Sequence, residues 1–155
     1  MSLRQACQAL VLAGGACAIA ACAQPGARPA VAGPMTNFCK KSPGVVDGAI
    51  VIRGGEVNAT KLREGGDVGP DGYMTDLSVN CSGSVDAPNT QANRKKYRDG
   101  IPNSYYGVTS ARRICQEGGY LAPTPYAGHP YHCTLWHMKP ERAAPLFTRY
   151  KSKSD

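Results

Sequence analysis

Acidic residues are scarce in this chain: eleven Asp and Glu stand against eighteen Lys and Arg, giving a formal net charge of +7 at pH 7. Charged residues make up 19%, below the usual share of about 25%. Three further shortages narrow the chemistry. No C-x₂-C pair occurs, which argues against an ordinary structural zinc site. No G-x-S-x-G segment occurs, so there is no nucleophile elbow. After residue 21 no run is apolar enough to span a bilayer as a helix.

What the chain has in excess is glycine, 18 residues, and proline, 12. Such a composition predicts short elements joined by turns. The length suits one small domain, for which covalent crosslinks matter. At the start, Arg4 precedes an apolar run from Ala9 to Ala21. As a helix that run would cover roughly 20 Å, short of a hydrocarbon core of about 30 Å. Residues 1–21 therefore read as a signal peptide and not as a permanent span. The run closes on Ile19-Ala20-Ala21-Cys22, which resembles the lipobox of bacterial lipoproteins. In that family the matching cysteine is lipidated and becomes the new N-terminus. The resemblance implies acyl chains on Cys22, a membrane anchor, and, with Ala23 following, the outer membrane, facing periplasm or cell surface. The alternative is plain cleavage and a soluble periplasmic or secreted product, because Ala21-Cys22-Ala23 also fits an A-x-A pattern. Residues 22–37, rich in Ala and Pro, read as a flexible tether. Residues 38–148 are expected to form the domain, and 149–155 a basic, frayed tail.

Cys7 and Cys17 fall in the leader, leaving Cys39, Cys81, Cys115 and Cys133 beyond Cys22. An even number in an exported chain predicts two disulfides, with three possible pairings left open. The basic residues bunch at 94–98, at Arg112-Arg113 and at 149–153. They read as solvated loops and tail, or as attraction to an anionic envelope surface. No nucleic acid is expected beyond the inner membrane.

Along the domain, Val45 to Ile52 is β-branched and reads as a buried strand delivering Arg53 to the sheet's end. Asn58 can cap a short helix over Ala59 to Arg63, stopped by Gly65-Gly66. Pro70-Asp71-Gly72 is a turn. In the strand Tyr73 to Cys81, one face carries Tyr73, Leu77, Val79 and Cys81; the other carries Met74, Asp76, Ser78 and Asn80. The second set is either a solvated face or the floor of a polar site. Residues 82–103 form a polar excursion with a weak helix over Gln91 to Arg98. Val108 to Glu117 reads as a helix capped by Thr109 or Ser110, with Cys115 pointing inward. Gly118 to Met138 gathers all three histidines and the one tryptophan, as strand, turn over Pro123 to Pro130, and strand. Pro140 opens a last helical turn that Pro145 ends, with Leu146 and Phe147 docking back.

His129, His132, Cys133 and His137 suggest a metal site, but strand alternation sends neighbours to opposite faces, so no metal is expected. The same geometry argues against Cys133 beside His132 as a nucleophile pair. Arg53 at a strand end, Ser78 on a later strand and the late aromatic strand pair resemble ADP-ribosyltransferases. That resemblance implies an NAD-binding cleft with Arg53 on phosphate, Ser78 on the nicotinamide side and the His129–His132 region also at the cleft. The family's Ser-Thr-Ser and its late E-x-E or Q-x-E are missing. The favoured reading is therefore non-enzymatic and without cofactor. It is a disulfide-stapled α+β domain: a small, mainly antiparallel sheet with two or three short helices. It would bind an envelope protein, peptide or glycan, as an inhibitor, immunity or accessory protein. Tyr105, Tyr106, Tyr126, Tyr131 and Trp136 are the candidate contacts, with core packing expected of Trp136 and at least one tyrosine.

Overall fold

The computed structural model describes residues 39–154, and the leader, the lipobox and the tether lie outside them. In chain order the elements are β1 (Ile50–Gly54), α1 (Ala59–Gly65), β2 (Gly66–Val68), β3 (Met74–Cys81), α2 (Gln91–Tyr97) and β4 (Tyr105–Ser110). They continue with α3 (Ala111–Gln116), β5 (Tyr120–Pro123), β6 (His132–Trp136), α4 (Pro140–Ala143) and β7 (Thr148–Lys151). The strands form one sheet in the order β5-β6-β3-β1-β4-β7, with β2 paired to β3, and every pairing is antiparallel. The fold is α+β and stapled by two disulfides, as expected. The single turn α4 brings the described α-helices to four.

Helices cover both faces of this sheet. Leu62 of α1, Ile114 of α3 and Ala143 of α4 pack with Val51, Leu77, Val79, Leu121 and Leu135 on one face. Tyr97 of α2 packs with Ile50, Ile52, Tyr106 and Val108 on the other. The central strand β1 is thus buried on both sides, which is why its sequence is a continuous apolar run and not an alternating one.

Local chemistry sets several boundaries. Asn58 accepts a hydrogen bond from Lys61 N at 2.9 Å, capping α1 as expected. Gly72 takes φ 81° after the Pro70-Asp71 turn. Along β3, Asp76 pairs with Asp67 but Met74 with Val68, so one extra residue, Thr75, bulges out. The bulge reverses the alternation and buries Met74 beside Leu77, against the expectation that Met74 faces away from the core.

Three expected boundaries are corrected. The first strand begins at Ile50, not Val45, because Val45 N is taken by the Ser42 carbonyl in the preceding turn and Val46 N by the distant Gly83 carbonyl, with no strand beside them. The helix expected from Val108 begins at Ala111. Val108 and Thr109 extend β4 as β-branched residues do, and Ser110 is the cap. The end expected to fray instead forms β7, where Thr148 to Lys151 pair with Val108 to Tyr105. Its alternation T-R-Y-K is too short and too charged to read as a strand without that partner.

Candidate functional site

Oxidation settles what the cysteines do. Cys39 is bridged to Cys115 and Cys81 to Cys133, so none of these four is a nucleophile or a metal ligand. Among the described residues no group of three or more His, Cys, Asp or Glu is placed to hold a metal ion.

The candidate site grows from a gap in the sheet. β6 pairs with one side of β3, while β1 and β2 share the other. β1 stops pairing at Asn80 and β2 starts at Leu77, so Ser78 and Val79 have no strand partner on that side. Arg53 supplies one: its Nη1 donates to the Ser78 carbonyl at 2.7 Å. Its other terminal nitrogen lies against Gly65, where an added Cβ would come within 2.2 Å of it. Loss of hydration holds the guanidinium below its ordinary value.

Over this gap opens a cleft of about 230 Å³. Ile52, Ser78, Val79 and Asn80 form its floor. The loop from Gly100 to Asn103 forms one wall, and Tyr126, His129 and His132 the other. No carboxylate lines it, and its groups able to pass a proton are the imidazoles of His129 and His132 and the Tyr126 phenol.

Asn80 positions the first wall. Its amide donates to the carbonyls of Tyr97 at 2.8 Å and Asp99 at 3.0 Å, hanging the end of α2 and the following loop from the sheet. The second wall is set by the β5–β6 turn. Gly128 at φ 80° lets His129 N reach Tyr126 O at 2.9 Å. The Tyr126 ring then lies between two imidazoles, 4.5 Å from His129 and 5.0 Å from His132 between centroids. His132 Nδ1 sits 3.0 Å from the Thr124 carbonyl, which can only accept. The Thr124 hydroxyl, which can donate or accept, lies 2.9 Å from the same nitrogen, so both polar groups of Thr124 orient the ring.

The expected contacts divide. Arg53, Ser78, His132 and Tyr126 meet in the cleft, and Tyr126, 55% exposed, stands at its mouth. Tyr131 packs edge-on against Tyr97 at 4.9 Å, and Tyr106 is fully buried, so both belong chiefly to the second core. Tyr105 lies under Arg149 at the β7 edge. Trp136 is half-buried against Tyr120 at the far end of β6 and is not a core residue proper. His137 stacks on Tyr120 and Tyr73, well apart from the other two histidines. The residues not anticipated are Gly100 to Asn103 and the tethering role of Asn80. The alternation of β3 did hint at Asn80, because it placed that side chain in a row with Ser78.

No protein-family model matches the chain, and neither a curated protein nor a solved structure does.

Proposed function

We propose that this protein is an exported module of the bacterial envelope, lipid-anchored at Cys22, that binds a short polar segment of a protein or glycan in the cleft beside Tyr126. The observation that carries this reading is the mouth itself. An exposed aromatic ring flanked by His129 and His132, above an amide and hydroxyl floor, is the mixture that orients a polar ligand while desolvating its apolar face. The pocket is small, so one or two residues of the partner enter it and the surrounding surface supplies the rest.

A photo-crosslinking residue at position 126 should capture the partner in intact cells. The same residue at Val85, another exposed apolar position, should not. Equal adducts from both positions would dismiss the cleft as the binding site. The anchor has its own test: Cys22→Ser should move the protein from the membrane to the soluble fraction after a high-salt wash, and persistence in the membrane would refute lipidation there.

One observation favours a second reading, an NAD cleft of the transferase type: Arg53, Ser78 and His132 line a single concavity. The fit is partial. One guanidinium nitrogen is engaged by the Ser78 carbonyl, and the lining lacks the carboxylate that the resembled family uses. Titration with NAD would raise the melting midpoint if this reading holds, and an unmoved midpoint would sink it.

A further inference from the structure

At the β7 edge of the sheet, aromatic and cationic side chains interleave. Arg94 of α2 lies over Tyr150 with its guanidinium carbon 4.2 Å from the ring centroid. Tyr150 stacks on Tyr106 at 5.6 Å, and Arg98 covers Tyr106 from 5.0 Å. On the other side of the same strand, Arg149 and Lys151 stand over Tyr105 at 4.1 and 5.9 Å. Lys95, Lys96, Lys151 and Lys153 extend the rim and are exposed. Among the described residues, the acids at this edge are Asp99, just past α2, and Glu56, which pairs with Arg149 at 3.2 Å.

We propose that this rim is a docking surface for an anionic lipid membrane. It goes beyond the cleft and does not depend on it. Three features fit a phosphate-bearing headgroup layer. Positive charge outweighs negative and runs along an edge, from the shallow hollow lined by Tyr105, Arg149, Tyr150 and Lys151 on to Lys95 and Lys96, and is not confined to that hollow. Guanidinium and ammonium groups lie over tyrosine rings, an apolar body with a polar tip that suits the headgroup region. The cations at the rim's surface also hang on long stems that can adapt to a fluid partner, whereas a folded acidic protein would call for fixed pairs. The domain would then lie with its last strand against the bilayer.

The side chains of Lys95, Lys96, Lys151 and Lys153 make no hydrogen bond or ion pair among the described residues and are exposed, so changing them leaves the core packing in place; Lys96 and Lys151 lie over the rings of Tyr97 and Tyr105. The test is sedimentation of the full-length chain, carrying Cys22→Ser, with vesicles of phosphatidylglycerol mixed into phosphatidylcholine. Pure phosphatidylcholine vesicles measure whatever the leader contributes. Each cation at an anionic surface strengthens association by about fivefold, so K95E/K96E/K151E/K153E should weaken it by roughly a hundredfold or more. The four Lys→Gln changes should give an intermediate loss, and high salt should abolish the excess over phosphatidylcholine. An unchanged melting curve certifies each variant as folded. Equal binding to both vesicle types, or full binding by the folded Glu variant, would overturn the proposal. So would single-stranded RNA that binds the same four lysines and displaces the vesicles, which would reassign the rim to nucleic acid.

Discussion

Asn80 shows how one side chain can serve fold and site together. Its amide satisfies two carbonyls, those of Tyr97 and Asp99, from a position only 7% exposed. Asn80→Ala leaves both without that donor and should cost about 1–3 kcal/mol. Urea denaturation will read this as a lower midpoint at unchanged slope. Asn80→Asp should be worse, since a carboxylate would face two carbonyl oxygens. A loss below about 0.5 kcal/mol in Asn80→Ala would mean that water replaces the amide without penalty, and the wall is held by something else. The period-2 pattern of β3 made this residue's face readable in advance, but not its role. Its partners lie 17 and 19 residues away, at the end of a helix whose docking no local pattern encodes.

At the scale of elements, the helices were legible where caps and glycines punctuate them. Asn58 with Gly65-Gly66 marks α1, and Gly118-Gly119 marks the end of α3, whose cap the sequence leaves between Thr109 and Ser110. What was lost lay between signals. Val108-Thr109 sits where a strand runs straight into a helix without a loop, so a single amphipathic reading absorbed both. β7 was hidden because its evidence is the pairing with β4, and four residues carry no period of their own. The turn over Pro123 to Pro130 is legible as a turn, yet its consequence, two imidazoles on one tyrosine, needs the left-handed Gly128. The capping assignments are testable. Asn58→Ala and Ser110→Ala should each destabilise by about 1 kcal/mol. Asn58→Gly should recover most of the loss, a result that distinguishes a lost cap from lost packing.

For the molecule as a whole, the crosslinks add to the burial of two cores a stabilisation comparable with the net margin of a small domain. The bridges close loops of 76 residues (Cys39–Cys115) and 52 residues (Cys81–Cys133). Loop-closure entropy alone would make each worth about 4 kcal/mol in the chain-entropy model. That is a large part of the roughly 5–15 kcal/mol available to a small domain. The two should nevertheless fail differently. Cys39→Ser/Cys115→Ser releases the turns before β1 from α3, and should lower the melting midpoint while a cooperative transition survives. Cys81→Ser/Cys133→Ser unties β3 from β6 in mid-sheet, and should broaden the transition as well. Differential scanning calorimetry separates these outcomes, and identical curves for the two variants would contradict the assignment. The even cysteine count announced two bridges, but the pairing had to await the strand order, which sets β3 beside β6.

Cys81 ends the strand that floors the cleft, and Cys133 follows His132 in the strand that walls it. The second bridge is therefore also a covalent gauge on the aperture: floor and imidazole wall cannot part while it stands. On the proposed binding role, such an opening would select by the shape of the visitor, not by closure of the host. A reducing milieu would therefore release that gauge and lower the stability of the chain in the same step.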